Sequence, residues 1–280
     1  MTEATRPLDV TRIRARSGWE ALDLRELWSR RELLWFLAWR DIRVRYKQMV
    51  LGAGWAVLQP FIQMVVFTVV FGELLQVPTE DGIPYTLYSF TALVPWSLFA
   101  AVLAGTASSL TANAGILNKV YFPRLLIPLA SAAARLVDFG IAFVILLGMV
   151  PAFGIGLTPN ALWVPLFLLL LLACALGVGL WLSAVNVYLR DVQILLPFLV
   201  QLWQYASPVI YSAREIPDGW RILYYGLNPM AGVLVGFRWS LLGTPAPGPE
   251  IWISVAATAL VFLTGTMMFL RVQRTMVDIL

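Results

Sequence analysis

Along this chain, long stretches free of Asp, Glu, Lys and Arg alternate with short segments where charge, proline and glycine gather. The uncharged runs cover residues 48–72, 82–118, 139–189, 192–213 and 251–270. About 20 apolar helical residues cross the roughly 30 Å of a bilayer's hydrocarbon core, so each run is long enough for a span. Run 139–189 is too long for one crossing, and Pro151, Gly154, Gly156, Pro159 and Asn160 mark a turn inside it. The pattern therefore predicts six transmembrane helices, at about 51–75, 88–111, 125–152, 161–188, 194–211 and 251–270, within one unit covering 51–280. The expected fold class is an all-α integral membrane protein.

Two other segments have their own periodicity. Trp35, Trp39, Ile42, Tyr46 and Met49 recur at helical spacing while Arg40, Arg43 and Lys47 share another face. Residues 29–50 thus read as an amphipathic helix lying in the membrane interface, its three cations directed at lipid headgroups and phosphate. Residues 212–250 contain Tyr224, Tyr225, Met230, Val233, Leu234, Phe237 and Trp239, too many apolar groups for a free loop. Breaks at Asn228-Pro229 and Gly232 predict two short helices dipping back from the outer side. Residues 1–28 are polar, mixed in charge and without periodicity, as in a cytoplasmic tail.

Composition agrees: the 280 residues are 60% hydrophobic and 13% charged, with a mean hydropathy of +0.78. More than half of the Lys and Arg residues precede Val50, which places that end in the cytoplasm. Segments 76–86 and 151–160 then fall outside and carry neither Lys nor Arg, whereas Lys119, Arg124, Arg190, Arg271 and Arg274 fall inside. Both termini are expected in the cytoplasm. The net charge of +4 is accounted for by this orientation, with no need of a nucleic-acid partner. The first apolar run follows a long charged segment, unlike a secretory leader, and is expected to remain as an anchor. Cys174, the one cysteine, lies mid-span and reads as a small buried apolar residue.

Several chemistries are excluded. There is no histidine, so imidazole bases and His-based metal sites are absent. The only lysines are Lys47 and Lys119, and neither belongs to a phosphate-binding G-x-x-x-x-G-K loop. No cluster of intramembrane carboxylates points to a transferase or a proton relay. No catalytic residue, metal or cofactor is expected in the chain.

Some intramembrane polar residues remain. Arg135 and Asp138, three apart on the third predicted span, are expected to form a mutual ion pair. Gln59 and Gln63 share a face of the first span, and Gln201, Gln204 and Tyr205 share one on the fifth, with Trp203 nearby. Uncharged amides and flat rings suit a path for hydroxyl-rich cargo, although the same amides could instead bond neighbouring helices. Pro60 withholds a backbone donor beside the first of these faces. Trp96, Trp163, Tyr211 and Trp220 fall near predicted interfaces as aromatic anchors.

The second inside loop reads Asn118-Lys119-Val120-Tyr121-Phe122-Pro123-Arg124-Leu125-Leu126-Ile127-Pro128. It resembles the signature of ABC-2 type permeases that export O-antigen, teichoic acid or galactan. Arg190-Asp191, Ser207-Pro208-Val209-Ile210-Tyr211, Ile216-Pro217 and Asn228-Pro229-Met230 followed by Arg238 are similar to that family in the same order. The resemblance runs from about Leu33 to the end.

It implies a homodimer in a bacterial inner membrane, associated with two copies of a separate ATPase subunit that carries ATP and magnesium, and moving lipid-linked polysaccharide outward. Asn118, Lys119, Tyr121, Phe122, Pro123 and Arg124 would form the element coupled to the ATPase, with Tyr121 and Phe122 as its apolar anchors. Asn228, Pro229 and Arg238 would belong to an outer gate. A permease of the same plan for a drug or lipid is the alternative.

Overall fold

The computed structural model describes residues 24–47, 54–117, 122–189 and 191–273. Their secondary structure is helical, with no strand among the described residues. A short helix α1 (Leu24–Ser29) precedes α2 (Arg31–Tyr46), the counterpart of the expected interfacial helix. Next comes α3 (Gly54–Phe67), whose last turns widen into a π-helix over Thr68–Leu74. Then follow α4 (Tyr85–Ala112), the single turn α5 (Ala114–Leu117), α6 (Leu126–Ala152) and α7 (Val164–Asn186), the last entered through a 3-10 turn at Pro159–Trp163. The chain continues through α8 (Asp191–Ala206), α9 (Asp218–Leu227), α10 (Met230–Leu242) and α11 (Ile251–Val272).

Among the described residues five helical segments are long and apolar enough to span a membrane: Val57–Leu74, Tyr85–Ala112, Leu126–Ala152, Pro159–Asn186 and Ile251–Val272. The predicted fifth span, 194–211, corresponds to α8, which has only 16 residues. At 1.5 Å per residue α8 is about 24 Å long, short of the full hydrocarbon thickness. It ends before Pro208, where the chain turns and Val209 N bonds Ser207 O at 2.7 Å.

The hub is α4, which packs on α3, α6, α7, α8 and α10. Leu87, Tyr88, Phe90, Leu93, Phe99 and Val102 of α4 are fully enclosed. Two of its buried hydroxyls return their hydrogen bonds to the same helix, Thr91 Oγ1 to Leu87 O at 2.8 Å and Ser109 Oγ to Thr106 O at 2.7 Å. In apolar surroundings such bonding within the helix hides a polar group without a partner helix. Close approach between α7 and α11 depends on glycine: a Cβ at Gly177 would lie 2.7 Å from the Phe262 Cα, and one at Gly265 would strike the Gly177 carbonyl oxygen. Leu166 and Leu169 of α7 and Leu260 and Leu263 of α11 face outward, the surface that lipid solvates.

The 218–242 segment forms two helices separated at Asn228-Pro229, as the sequence predicts. Gly232 does not break the second; it lies inside α10, where a Cβ would meet the Ser254 side chain at 2.8 Å. The end of α10 is set by Gly243, whose φ of 71° is left-handed.

Candidate functional site

The amide-bearing faces of α3 and α8 converge. Gln59 and Gln63 from α3 and Gln201, Gln204 and Tyr205 from α8 line a cavity of about 630 Å³, floored by Val94, Trp96 and Ser97 of α4. Among the described residues the four glutamine side chains bond neither one another nor another helix, and Gln204 Nε2 is buried without a partner. The amides therefore do not clamp helices together among the described residues; all four glutamines border the cavity, Gln59 and Gln201 at its exposed side and Gln204 buried. Pro60, inside α3 between the two glutamines, lines the same space.

Trp203 does not line this cavity. Its indole packs edge-on against Phe99 at 5.0 Å and Trp96 at 6.4 Å between ring centroids, and donates to Asn228 Oδ1 at 2.9 Å. The expected path residue is thus a half-buried strut tying α8 to the α9–α10 corner. Trp96 is 2% exposed, so it is a core residue and no interfacial anchor, whereas Trp163 and Trp220 are well exposed.

The expected pair of Arg135 and Asp138 is also replaced. Asp138 accepts from Arg45 Nη1 at 2.5 Å and from the Tyr46 hydroxyl, both at the end of α2. Burial, and then the Asp138 carboxylate, push the Tyr46 phenol up to about 12, so it stays protonated and donates. Residues 93 positions apart thereby fasten α2 to α6. Arg135 is left with no hydrogen bond or ion pair among the described residues, and its Nε is buried.

Of the three expected headgroup cations, Arg43 is exposed beside the Trp39 ring, 5.3 Å from its centroid, and Lys47 is exposed at the helix end. Arg40 differs: it turns inward to Asp41 at 2.8 Å and Asn113 at 2.7 Å, joining α2 to the end of α4.

In the loop before α6, Asn118, Lys119 and Tyr121 lie outside the described residues. Phe122 is 6% exposed and packs in a core with Leu37, Leu110, Leu125 and Leu126. It anchors the loop to its own protein and is not offered to a partner. Pro123 and Arg124 are half-buried and their carbonyls accept the first amides of α6, from Leu126 at 3.0 Å and Ile127 at 3.2 Å.

At the opposite end, Asn228 donates to Ala206 O at 3.2 Å and Ser207 Oγ at 3.0 Å, closing the corner behind α8, with Pro229 opening α10. Arg238 is 2% exposed and donates to Pro208 O, Val209 O and Tyr211 O at 2.7, 2.8 and 3.3 Å. It also reaches the Tyr88 hydroxyl at 3.0 Å and lies 3.6 Å over that ring. The Tyr88 hydroxyl and Ser212 Oγ both donate to Glu80. Arg221 pairs with Asp218 at 2.8 Å and more loosely with Glu250 at 3.9 Å.

The arrangement is a bundle hub, α4, with a polar cavity bounded by peripheral helices. The family model of ABC-2 type transporters matches residues 32–242, from α2 through α10. The chain belongs to the ABC-2 type transporter family. It is 30% identical to the O-antigen export system permease protein RfbA of Myxococcus xanthus over 242 residues, 86% of this chain and 92% of that protein. A Klebsiella pneumoniae protein of the same name is 30% identical over 212 residues, covering 74% of this chain and 79% of its own. The polysialic acid transport protein KpsM of Escherichia coli is 26% identical over 199 residues, 70% and 75% of the two chains. As an ABC-2 type protein with several apolar helices, the chain is a multi-pass membrane protein and a transmembrane subunit, with no catalytic role expected of it.

Sequence reasoning missed Arg45, Tyr46 and the lack of a direct ion-pair partner for Arg135 among the described residues. Arg45 carried one signal, since it stands off the face shared by Arg40, Arg43 and Lys47, but nothing local named Asp138 as its partner.

Proposed function

We propose that this chain is the permease subunit of an ATP-driven exporter that moves lipid-linked polysaccharide outward across the bacterial inner membrane, with both termini in the cytoplasm. The observation that carries the reading is the cavity between α3, α4 and α8, bordered by four glutamines and Tyr205 whose side chains bond no other helix among the described residues. Neutral amides bind sugar hydroxyls singly and weakly, and aromatic rings let a pyranose face slide, so a polymer can advance without a deep energy minimum. The names of the relatives, O-antigen and polysialic acid exporters, favour a polysaccharide over a drug or lipid.

Energy comes from a separate ATPase, two copies of which supply ATP and magnesium to a homodimer of this chain. The exposed apolar residues of α3 and α8 support the dimer: Phe61, Ile62 and Val65 on one helix and Phe198, Leu199 and Leu202 on the other flank the exposed Gln59 and Gln201. Amides on a lipid-facing surface are costly, and a second copy would enclose them. Coupling to the ATPase is assigned to residues 118–124; the outer gate is the corner at Asn228, Pro229 and Arg238.

Deleting the gene tests the reading. Lipid-linked polysaccharide should accumulate on the cytoplasmic face and disappear from the surface. Normal surface polysaccharide together with loss of a drug or lipid from the outer side would replace this function with the alternative.

A further inference from the structure

A second cavity, about 510 Å³, adjoins the first at the N-terminal half of α6. Arg45 and Arg135 line both, so these two guanidinium groups stand where the polar cavity meets the amide-lined one. The charged groups facing the two spaces are Arg40, Arg45 and Arg135 against Asp41 and Asp138. Arg40 is consumed by Asp41 and Asn113, and Arg45 by Asp138. One positive charge is left over, and it is Arg135, buried at Nε and without a partner among the described residues although Asp138 is one helical turn away. The neighbouring helix leaves room for it: a Cβ at Gly105 would lie 2.5 Å from Ser131 Oγ and 3.5 Å from Arg135 Nε. An uncompensated guanidinium within a membrane helix is costly, and it is tolerated where an anion completes it.

We infer that Arg135 and Arg45 form a subsite for a phosphate or diphosphate ester, and that Asp138 is the internal anion that holds Arg45 until the ester displaces it. Guanidinium forks match phosphate oxygens bidentately, which an ammonium cannot do. The position suits the charged junction of a lipid-linked sugar: the ester sits between the polar cavity and the amides that would take the carbohydrate. This assignment of the carrier's head rests on the function proposed above; the anion subsite itself rests on the unpaired cation. Asp138 makes the site an exchange: binding releases a carboxylate still held by Tyr46, so the unloaded chain need not carry two bare cations.

The test uses the purified full-length chain in phosphatidylcholine nanodiscs, with binding read from tryptophan fluorescence, since Trp55 and Trp96 line the larger cavity. The probes are farnesyl diphosphate, farnesol and inorganic diphosphate. Arg135→Gln should raise the Kd for farnesyl diphosphate by about tenfold or more, the loss expected for one charge-assisted hydrogen bond. Asp138→Asn should lower that Kd, because the competitor is gone, and this gain cannot be mimicked by misfolding if Arg135→Gln proves unstable. Farnesol binding should respond to neither substitution. If inorganic diphosphate follows the same order of variants, the free anion is sufficient; if only the prenyl ester does, the ligand is a lipid head. Equal farnesyl diphosphate binding by wild type and Arg135→Gln, or weaker binding by Asp138→Asn, overturns the subsite. That failure is separable from failure of the proposed function, in which diphosphate binding would depend on Arg135 while the chain with its ATPase moved no polysaccharide.

Discussion

Replacing Arg238 with Met removes the fully enclosed cation that joins α10 to the turn after α8 and to α4. Met keeps much of the side-chain volume and no donor, so the change isolates the hydrogen bonds. Three acceptors lie within 3.0 Å of the guanidinium, Pro208 O, Val209 O and the Tyr88 hydroxyl. Each buried acceptor left unpaired costs about 1–3 kcal/mol. Partial relaxation of the turn, and the saving from no longer burying a charge, keep the sum near the low end, about 3 kcal/mol, a large part of a typical 5–15 kcal/mol stability. On the usual scaling of about 2–4 °C per kcal/mol for chains of this size, the midpoint should fall by about 6 °C or more. Thermal unfolding of the purified protein in detergent, followed by intrinsic fluorescence, measures it. Arg238→Lys should fall between, because one ammonium cannot span the turn carbonyls and the Tyr88 hydroxyl together. An Arg238→Met protein melting within about 1 °C of wild type would refute the reasoning.

Other expectations follow from the same contacts. Gln63→Trp and Gln204→Trp should each block polymer export in cells while leaving insertion intact, as both side chains occupy the cavity; export at the wild-type level would remove them from the path. Phe122→Ala should lower stability by about 3–5 kcal/mol, the usual cost of deleting a buried ring, so its effect should show in a melting curve before it shows in coupling. Gly177→Val should part α7 from α11, because the new Cβ would meet Phe262 backbone; a normal yield of folded protein would contradict that packing.

Much of the architecture was legible because lipid as solvent leaves a long-period signal. Uncharged runs gave the helices, and the cluster from Pro151 to Asn160 gave the break between α6 and α7. The length of α8 was less legible, since apolar residues continue past its end; what stops the helix is Pro208, which disfavours helical backbone at Ser207. Trp203 was open to a better reading. It is two residues from both Gln201 and Tyr205, turned about 160° from each on a 3.6-residue helix, so it belongs on the opposite face. The tie from Arg45 and Tyr46 to Asp138 had no local signal, because i,i+3 spacing offers Arg135 as the nearer partner and only the docking of α2 on α6 brings Arg45 close. Phe122 carried the opposite ambiguity, as an aromatic residue in a short loop serves equally as an anchor inward or outward.

The central claim is that this protein supplies a conduit and borrows its energy. The most direct measurement is uptake of lipid-linked polysaccharide into inverted vesicles containing the purified chain, with and without a separate ABC ATPase subunit. Uptake and ATP hydrolysis are predicted only when both proteins and ATP are present. Uptake or hydrolysis by the chain alone would contradict the account.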